Sequence, residues 1–192
     1  MAMMLDRIQE PAPHRLSVDD YYKMAEVGIL KVEDRVELIE GEIIDMAPIG
    51  IAHGGTTIKL VELFSRAVAD GLVALSVQGA LRLDAYNQPQ PDGLLLRPPS
   101  ATYRERHPTA ADVLLLIEVS DTSRRYDRGP KLDLYARFCI PEVWIVDLVD
   151  NVVELCRDPL NGVYQDRQRL TDGKLVPSQV SIPAIDVAAL LT

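Results

Sequence analysis

The sequence predicts a mixed α/β domain, and three observations carry that prediction. A segment with apolar residues at helical spacing, 54–71, precedes three strand-like runs. The third of these, "DVLLLIEVS", is apolar on both faces, as a central strand covered by helices must be. A proline-started helical segment, 129–139, then leads to a further strand-like run, "EVWIVD". Counted from the long helix, the order is α, β, β, β, α, β.

Each element has its own local reason. Residues 1–15, with Pro11 and Pro13 among polar neighbours, read as a loose arm ahead of one domain over 16–192, long enough to bury a core. Ser17-Val18-Asp19-Asp20 is a capping-box start, so "VDDYYKMAEV" should be a short helix ending at Gly28. Two apolar-rich runs flank Glu40-Gly41 in "RVELIEGEIIDMAP", the pattern of a tight β-hairpin. In "GGTTIKLVELFSRAVADG" Ile58, Val61, Phe64 and Val68 recur at helical spacing. Leu60, Leu63 and Ala67 widen that stripe, and Gly71 stops it, which predicts a largely buried helix.

Strands are expected over "LVALSVQGALRLD", "PDGLLL" and "DVLLLIEVS". In "GPKLDLYARFC" Pro130 falls in the first helical turn, where its missing N–H costs nothing. Beyond "EVWIVD", the stretch "NVVELCRDPLNGVYQDRQRL" alternates and turns as an antiparallel meander, and "IPAIDVAALL" reads as a closing helix.

Composition narrows the function classes. No apolar stretch reaches the roughly 18–20 residues that span a bilayer, so no membrane partner is expected. The N-terminal "MAMMLDRIQEPAPHRL" lacks the apolar core of a signal peptide, and the expectation is a cytoplasmic protein. Cys139 and Cys156 have no metal-ligand spacing and are expected to be reduced core thiols. A net charge of −9 argues mildly against nucleic acid, whose backbone is held by Lys and Arg. That charge is uneven, however: residues 1–50 hold eleven acids against five bases, whereas residues 124–137 hold five bases against two acids.

Three positions converge on one chemistry. Asp92 follows Pro91 at the start of a short strand, Glu118 ends the apolar run, and Lys131 lies in the first turn of the next helix. If the strands are neighbours, the two carboxylates face each other at one sheet edge and the lysine points at the same place. Oxygen ligands of this kind suit Mg²⁺, which takes only one or two carboxylates and keeps several waters. The lysine can orient such a water or stabilise negative charge on a reacting phosphoryl group.

The pattern Pro91-Asp92, Glu118-Val119-Ser120 and Lys131 within "YDRGPKLDLYARFCIPEVWIVD" resembles the Uma-two family of the PD-(D/E)XK nuclease superfamily, whose members are labelled restriction endonucleases. The similarity also covers "RVELIEGEIIDMAPIGIAHG" and so takes in most of the chain. It implies a restriction-endonuclease-like αβββαβ core with a mixed sheet. It further implies Asp92 and Glu118 as metal-binding acids with the Val119 carbonyl as third ligand, and Glu37 as a further acid. The parent motif's lysine position is Ser120 here, and the lysine is displaced to Lys131. His53 matches a family histidine and is kept as peripheral. Mg²⁺, with Mn²⁺ as a substitute, is the implied cofactor, nucleic acid, chiefly DNA, the implied partner, and a homodimer the implied assembly.

Each residue also has a bland reading. Pro91-Asp92-Gly93 is a good turn signature. Glu118 can be the solvated first residue of a loop, and Lys131 an exposed helix lysine. Periodicity does not separate Glu37 from Glu42, which share a face in the expected hairpin, and Glu40 belongs to its turn. Tyr135, one turn past Lys131, can touch the site or simply pack in the core. Arg124, Arg125 and Arg128, on the expected loop before the lysine helix, can meet phosphates or form a solvated, charge-balanced loop. His14 and His107 form no ligand spacing, and Asp147 reads as a strand-end cap. The expected function is therefore a metal-dependent endonuclease. The rival is the same fold kept as a non-catalytic binding or assembly module, and the two are separated by whether Lys131 reaches the carboxylates.

Overall fold

The computed structural model describes residues 12–31 and 33–191. Most of the expected arm, residues 1–11, lies outside them. Helix α1 (Val18–Glu26) starts at Ser17, whose hydroxyl accepts from the Asp20 N–H while the Asp20 carboxylate accepts from the Ser17 N–H. Strands β1 (Val36–Ile39) and β2 (Glu42–Asp45) pair antiparallel around Glu40 and Gly41. Both turn residues have positive φ, 54° and 78°, as a two-residue type I′ turn requires. A Cβ on Gly41 would lie 2.7 Å from the Arg15 Cβ, so only glycine fits there.

Helix α2 (Ile51–Ala69) begins three residues earlier than its periodicity suggests and buries only Leu60, Phe64 and Ala67. Ile58, Val61 and Val68, expected in the core, are exposed. The apolar stripe is wider than the surface the sheet offers, and the helix turns one side of it outward. Strands β3 (Ala74–Val77), β4 (Gly93–Leu96), β5 (Val113–Ser120), β6 (Glu142–Asp147), β7 (Val152–Leu160) and β8 (Val163–Leu170) form one sheet in that order. Only the β5–β6 pairing is parallel, as a helical crossover between them demands. The sheet is thus mixed, and α2-β3-β4-β5-crossover-β6 reproduces the αβββαβ order.

The crossover differs from its expected form. It starts five residues before Gly129, as α3 (Arg124–Tyr126), widens to a π turn over Asp127–Lys131, and continues as α4 (Leu132–Arg137). Pro130 therefore sits inside the helical run, where it has no N–H to give and its ring crowds the preceding turn. A π turn is the local widening that accommodates such a residue. The C-terminal helix is also shorter than expected: Ile185–Asp186 is a strand, β10, paired with β9 (Lys174–Leu175), and only α5 (Ala188–Leu191) is helical.

Alternating side chains of the sheet feed two cores. On one face Ile117, Val119, Trp144 and Val153 pack with Leu60 and Phe64 of α2. On the other, Leu94, Leu116, Val143 and Ile145 pack with Leu132 and Tyr135 of α4. Cys156 is buried as expected, whereas Cys139, at φ 55° just past α4, is exposed and no core thiol. Among the described residues no helix is long and apolar enough to cross a membrane.

Candidate functional site

The β4–β5 ladder ends at the Gly93–Ile117 pair, so the next position in register sets Asp92 opposite Glu118. Strand β5 runs on for two residues past Glu118, held by β6 through the Ser120–Asp147 pair. Glu118 is therefore a buried strand residue, 3% exposed, rather than the start of a loop. With no β4 residue left to pair with Val119, the Asp92 side chain takes the place of a backbone acceptor: its Oδ2 lies 2.8 Å from the Val119 N. A strand residue sends its N–H and C=O to the same side. The Val119 carbonyl therefore faces the gap that β4 leaves open, and Val119 lines the cavity there.

Two further donors hold Asp92. His53 Nε2, in the first turn of α2, is 3.1 Å from Oδ2, and Gln78 Nε2 is 3.2 Å from Oδ1. Burial opposes ionisation of Asp92, but these donors and the Val119 N–H outweigh it and hold the carboxyl below its usual range. The hydrogen bond to Asp92 in turn raises His53 above its ordinary value, against partial burial.

Glu118 alternates to the α4 face with Leu116. There Lys131 Nζ is 2.9 Å from its Oε1, and the Tyr135 hydroxyl donates to the same oxygen at 2.6 Å. Lys131 and Tyr135 are both buried and lie four residues apart, which brings them to one side of the helical run. Lys131 Nζ is also 3.3 Å from Glu37 Oε2, and the Gln90 N–H donates to that same oxygen at 3.0 Å. The hairpin face shared by Glu37 and Glu42 is thus resolved by depth: Glu37 is buried beside the lysine and Glu42 is exposed.

Burial pushes Glu118 up to about 8; Lys131 opposes the shift, while Asp127, Asp92 and Glu37 add to it. Burial also opposes charge on Lys131, but Glu118, Glu37 and Asp127 outweigh it and hold the ammonium protonated well above its ordinary range. One buried cation thus serves several carboxylates.

Asp127, Ser120 and Ser123 belong to the same neighbourhood, although nothing in the sequence pattern singles out the aspartate. Both hydroxyls donate to Asp127 Oδ2, at 2.6 and 2.5 Å, so the parent motif's lysine position is occupied by a hydroxyl tied to a buried acid. An aspartate four residues before Lys131 in a helical run is the only signal that could have pointed to it. Gln78 and Gln90 carry no such signal.

Glu37, His53, Asp92, Glu118, Asp127 and Lys131 all line a cavity of about 360 Å³. Its wall carries Glu37, Asp45, Asp92, Glu118, Asp121 and Asp127 against only Arg35, Lys131 and His53. Among the described residues, no three His, Cys, Asp or Glu side chains are grouped so as to hold a metal by themselves. Two carboxylates and a backbone carbonyl at an acidic gap nevertheless fit a hard cation that keeps most of its waters. A cation there would offset the burial that keeps Glu118 protonated and favour its ionised form.

The three arginines lie on the crossover helix instead of a loop. Arg124 pairs with Asp147 at 2.9 Å and also with Asp150, and Arg128 pairs with Asp147 at 2.5 Å and Glu154 at 2.6 Å. Asp147 also caps the following turn through the Val149 and Asp150 N–H groups. Arg125 is exposed and makes no ion pair among the described residues.

Comparison with known proteins gives the family and the fold. The Uma2 family, described as "Putative restriction endonuclease", matches residues 18–190. The chain belongs to the Uma2 family. A crystal structure described as "a putative nuclease belonging to DUF820 from Anabaena variabilis ATCC 29413" superposes with a TM-score of 0.68 at 15% identity, over 92% of this chain and 97% of that one. The Uma2 chain therefore has the restriction-endonuclease-like fold of that protein. No curated protein matches it.

Proposed function

We propose that this Uma2 chain is a divalent-metal-dependent endonuclease that hydrolyses nucleic acid, with DNA as substrate, Mg²⁺ as cofactor and a homodimer as the working form. The observation that carries the reading is the meeting of Asp92, Glu118, the Val119 carbonyl and Lys131 at the open end of β4. The family description and the shared fold support it.

Asp92 and Glu118, with the Val119 carbonyl, would hold the cation. Bound there, it supplies the positive charge an acidic cavity needs to admit a phosphodiester and it makes water a better nucleophile. His53, Gln78 and the Val119 N–H keep Asp92 ionised and fixed in direction. Tyr135 and Lys131 both occupy Oε1 of Glu118, which fixes the carboxylate plane. Because Lys131 is held protonated, it donates hydrogen bonds and does not accept a proton. Its role is to orient water or offset charge developing on the phosphoryl oxygens. Glu37 holds the ammonium from the other side.

A Lys131 pointing into solvent would have cost the catalytic reading its third group in favour of the non-catalytic alternative; Lys131 instead reaches Glu118 at 2.9 Å, which supports the catalytic reading. The test is cleavage of supercoiled plasmid and of single-stranded DNA and RNA with Mg²⁺ or Mn²⁺, wild type beside Asp92→Asn. Cation-dependent cleavage that is lost in the variant is expected. Cleavage unchanged by the substitution would overturn the assignment.

A further inference from the structure

The core leaves one apolar surface of α2 unused. Ile51 is 99% exposed, Ile58 65%, Val61 44% and Val68 40%, all on a single 19-residue helix. Single exposed apolar residues are ordinary, but a contiguous row of them marks a contact surface. Ile51, Gly54, Ile58, Val61, Ser65 and Val68 follow one another at steps of three and four residues in alternation. That spacing, averaging 3.5, keeps a seam facing one partner helix.

The row also reads the same way from either end. Reversed, the steps are again three, four, three, four, three, which is what a self-complementary two-fold contact requires. We propose that α2 packs antiparallel against α2 of a second copy of this chain, about a two-fold axis between Lys59 and Leu60. In that register Ile51 meets Val68, Ile58 meets Val61, and the two small residues Gly54 and Ser65 meet each other. Large faces large and small faces small throughout the seam.

Glu62 flanks the row and is 64% exposed in its side chain. In this register the flanking position of the other copy nearest to it is Gly55, so no like charge opposes it. This surface deepens the homodimeric part of the proposed function but does not depend on catalysis. It sets the two copies of His53, and with them the two cavities, about 20 Å apart along the helix axis, from a rise of about 1.5 Å per residue.

Sedimentation velocity on the full chain between about 5 and 100 µM is the test, with circular dichroism to verify folding. Wild type should sediment as a dimer, and the exposed pair Ile58→Glu with Val61→Glu should be a folded monomer over the whole range. A wild type that stays monomeric over the whole range overturns the proposal. So does a dimer indifferent to the double glutamate variant, because it must use another surface. The two readings fail separately: a monomeric wild type sinks the dimer, whereas loss of the Asp92–Glu118 site's role is read from cleavage by Asp92→Asn.

Discussion

Lys131 Nζ lies 2.9 Å from Glu118 Oε1, with both side chains almost wholly buried and the Tyr135 hydroxyl on the same oxygen. A helix lysine and a mid-strand glutamate, thirteen residues apart in sequence, thus form the inner wall of the cavity. Removing either partner strands the other without solvent.

Replacing Lys131 with methionine should therefore cost about 3–5 kcal/mol, the range seen when one partner of a buried ion pair is removed. Urea unfolding measures it. Lys131→Arg should not rescue cleavage, since a planar guanidinium cannot occupy the space of a compact ammonium between Glu118 and Glu37.

Tyr135→Phe removes one hydrogen bond to a buried carboxylate and little volume. Above pH 8, where Glu118 is ionised, a stability loss of about 1.5–3 kcal/mol is expected from a bond to a charged group. With one restraint on Glu118 gone, Mn²⁺ should bind more weakly, which calorimetry on the folded variant reads out.

Glu118 also gives a pH signature. Its ordinary value is 4.5 and its folded value is about 8. Between these limits the unfolded chain has lost a proton that the folded chain keeps, so this contribution to stability is full below 4.5 and falls as pH rises towards 8. His53, raised above 6.5, bends the curve the same way, whereas lowered Asp92 acts only at acid pH. The wild-type minus Glu118→Gln difference in unfolding free energy isolates the glutamate and should decline across that window. Cation binding needs the ionised carboxylate, so affinity should increase with pH up to about 8.

The arginines separate into structural and free. Arg128→Ala should destabilise the fold by about 1–3 kcal/mol, because Asp147 and Glu154 lose a charged donor. Arg125→Ala should leave stability unchanged. If Arg125 meets a phosphate, its loss lowers the slope of log affinity against log salt by about one, measured by fluorescence anisotropy with a short duplex.

How much of this the sequence announces depends on the kind of signal. Apolar periodicity marks the strands because burial on both faces leaves Leu114 to Ile117 no alternative, and the capping box fixes α1 through two local hydrogen bonds. Pro130 misleads: its preference for a first helical turn is genuine, but the Asp127, Lys131 and Tyr135 contacts extend the helix backwards past it through a π turn. Periodicity in α2 shows that Ile58 and Val61 share a side, not whether anything covers it. In the site, Asp92, Glu118 and Lys131 carry charge at telling places. The partners of those groups, Gln78, Gln90 and the Ser120–Asp127 pair, are ordinary polar residues that only the sheet edge brings together.

The most direct measurement is Mn²⁺ binding by calorimetry to folded wild type, Asp92→Asn and Glu118→Gln at a pH near 8. The account predicts binding in the wild type and its loss in both variants, with wild-type folding retained by circular dichroism. Binding that survives both substitutions would contradict it, because the cation would then sit somewhere other than between these two carboxylates.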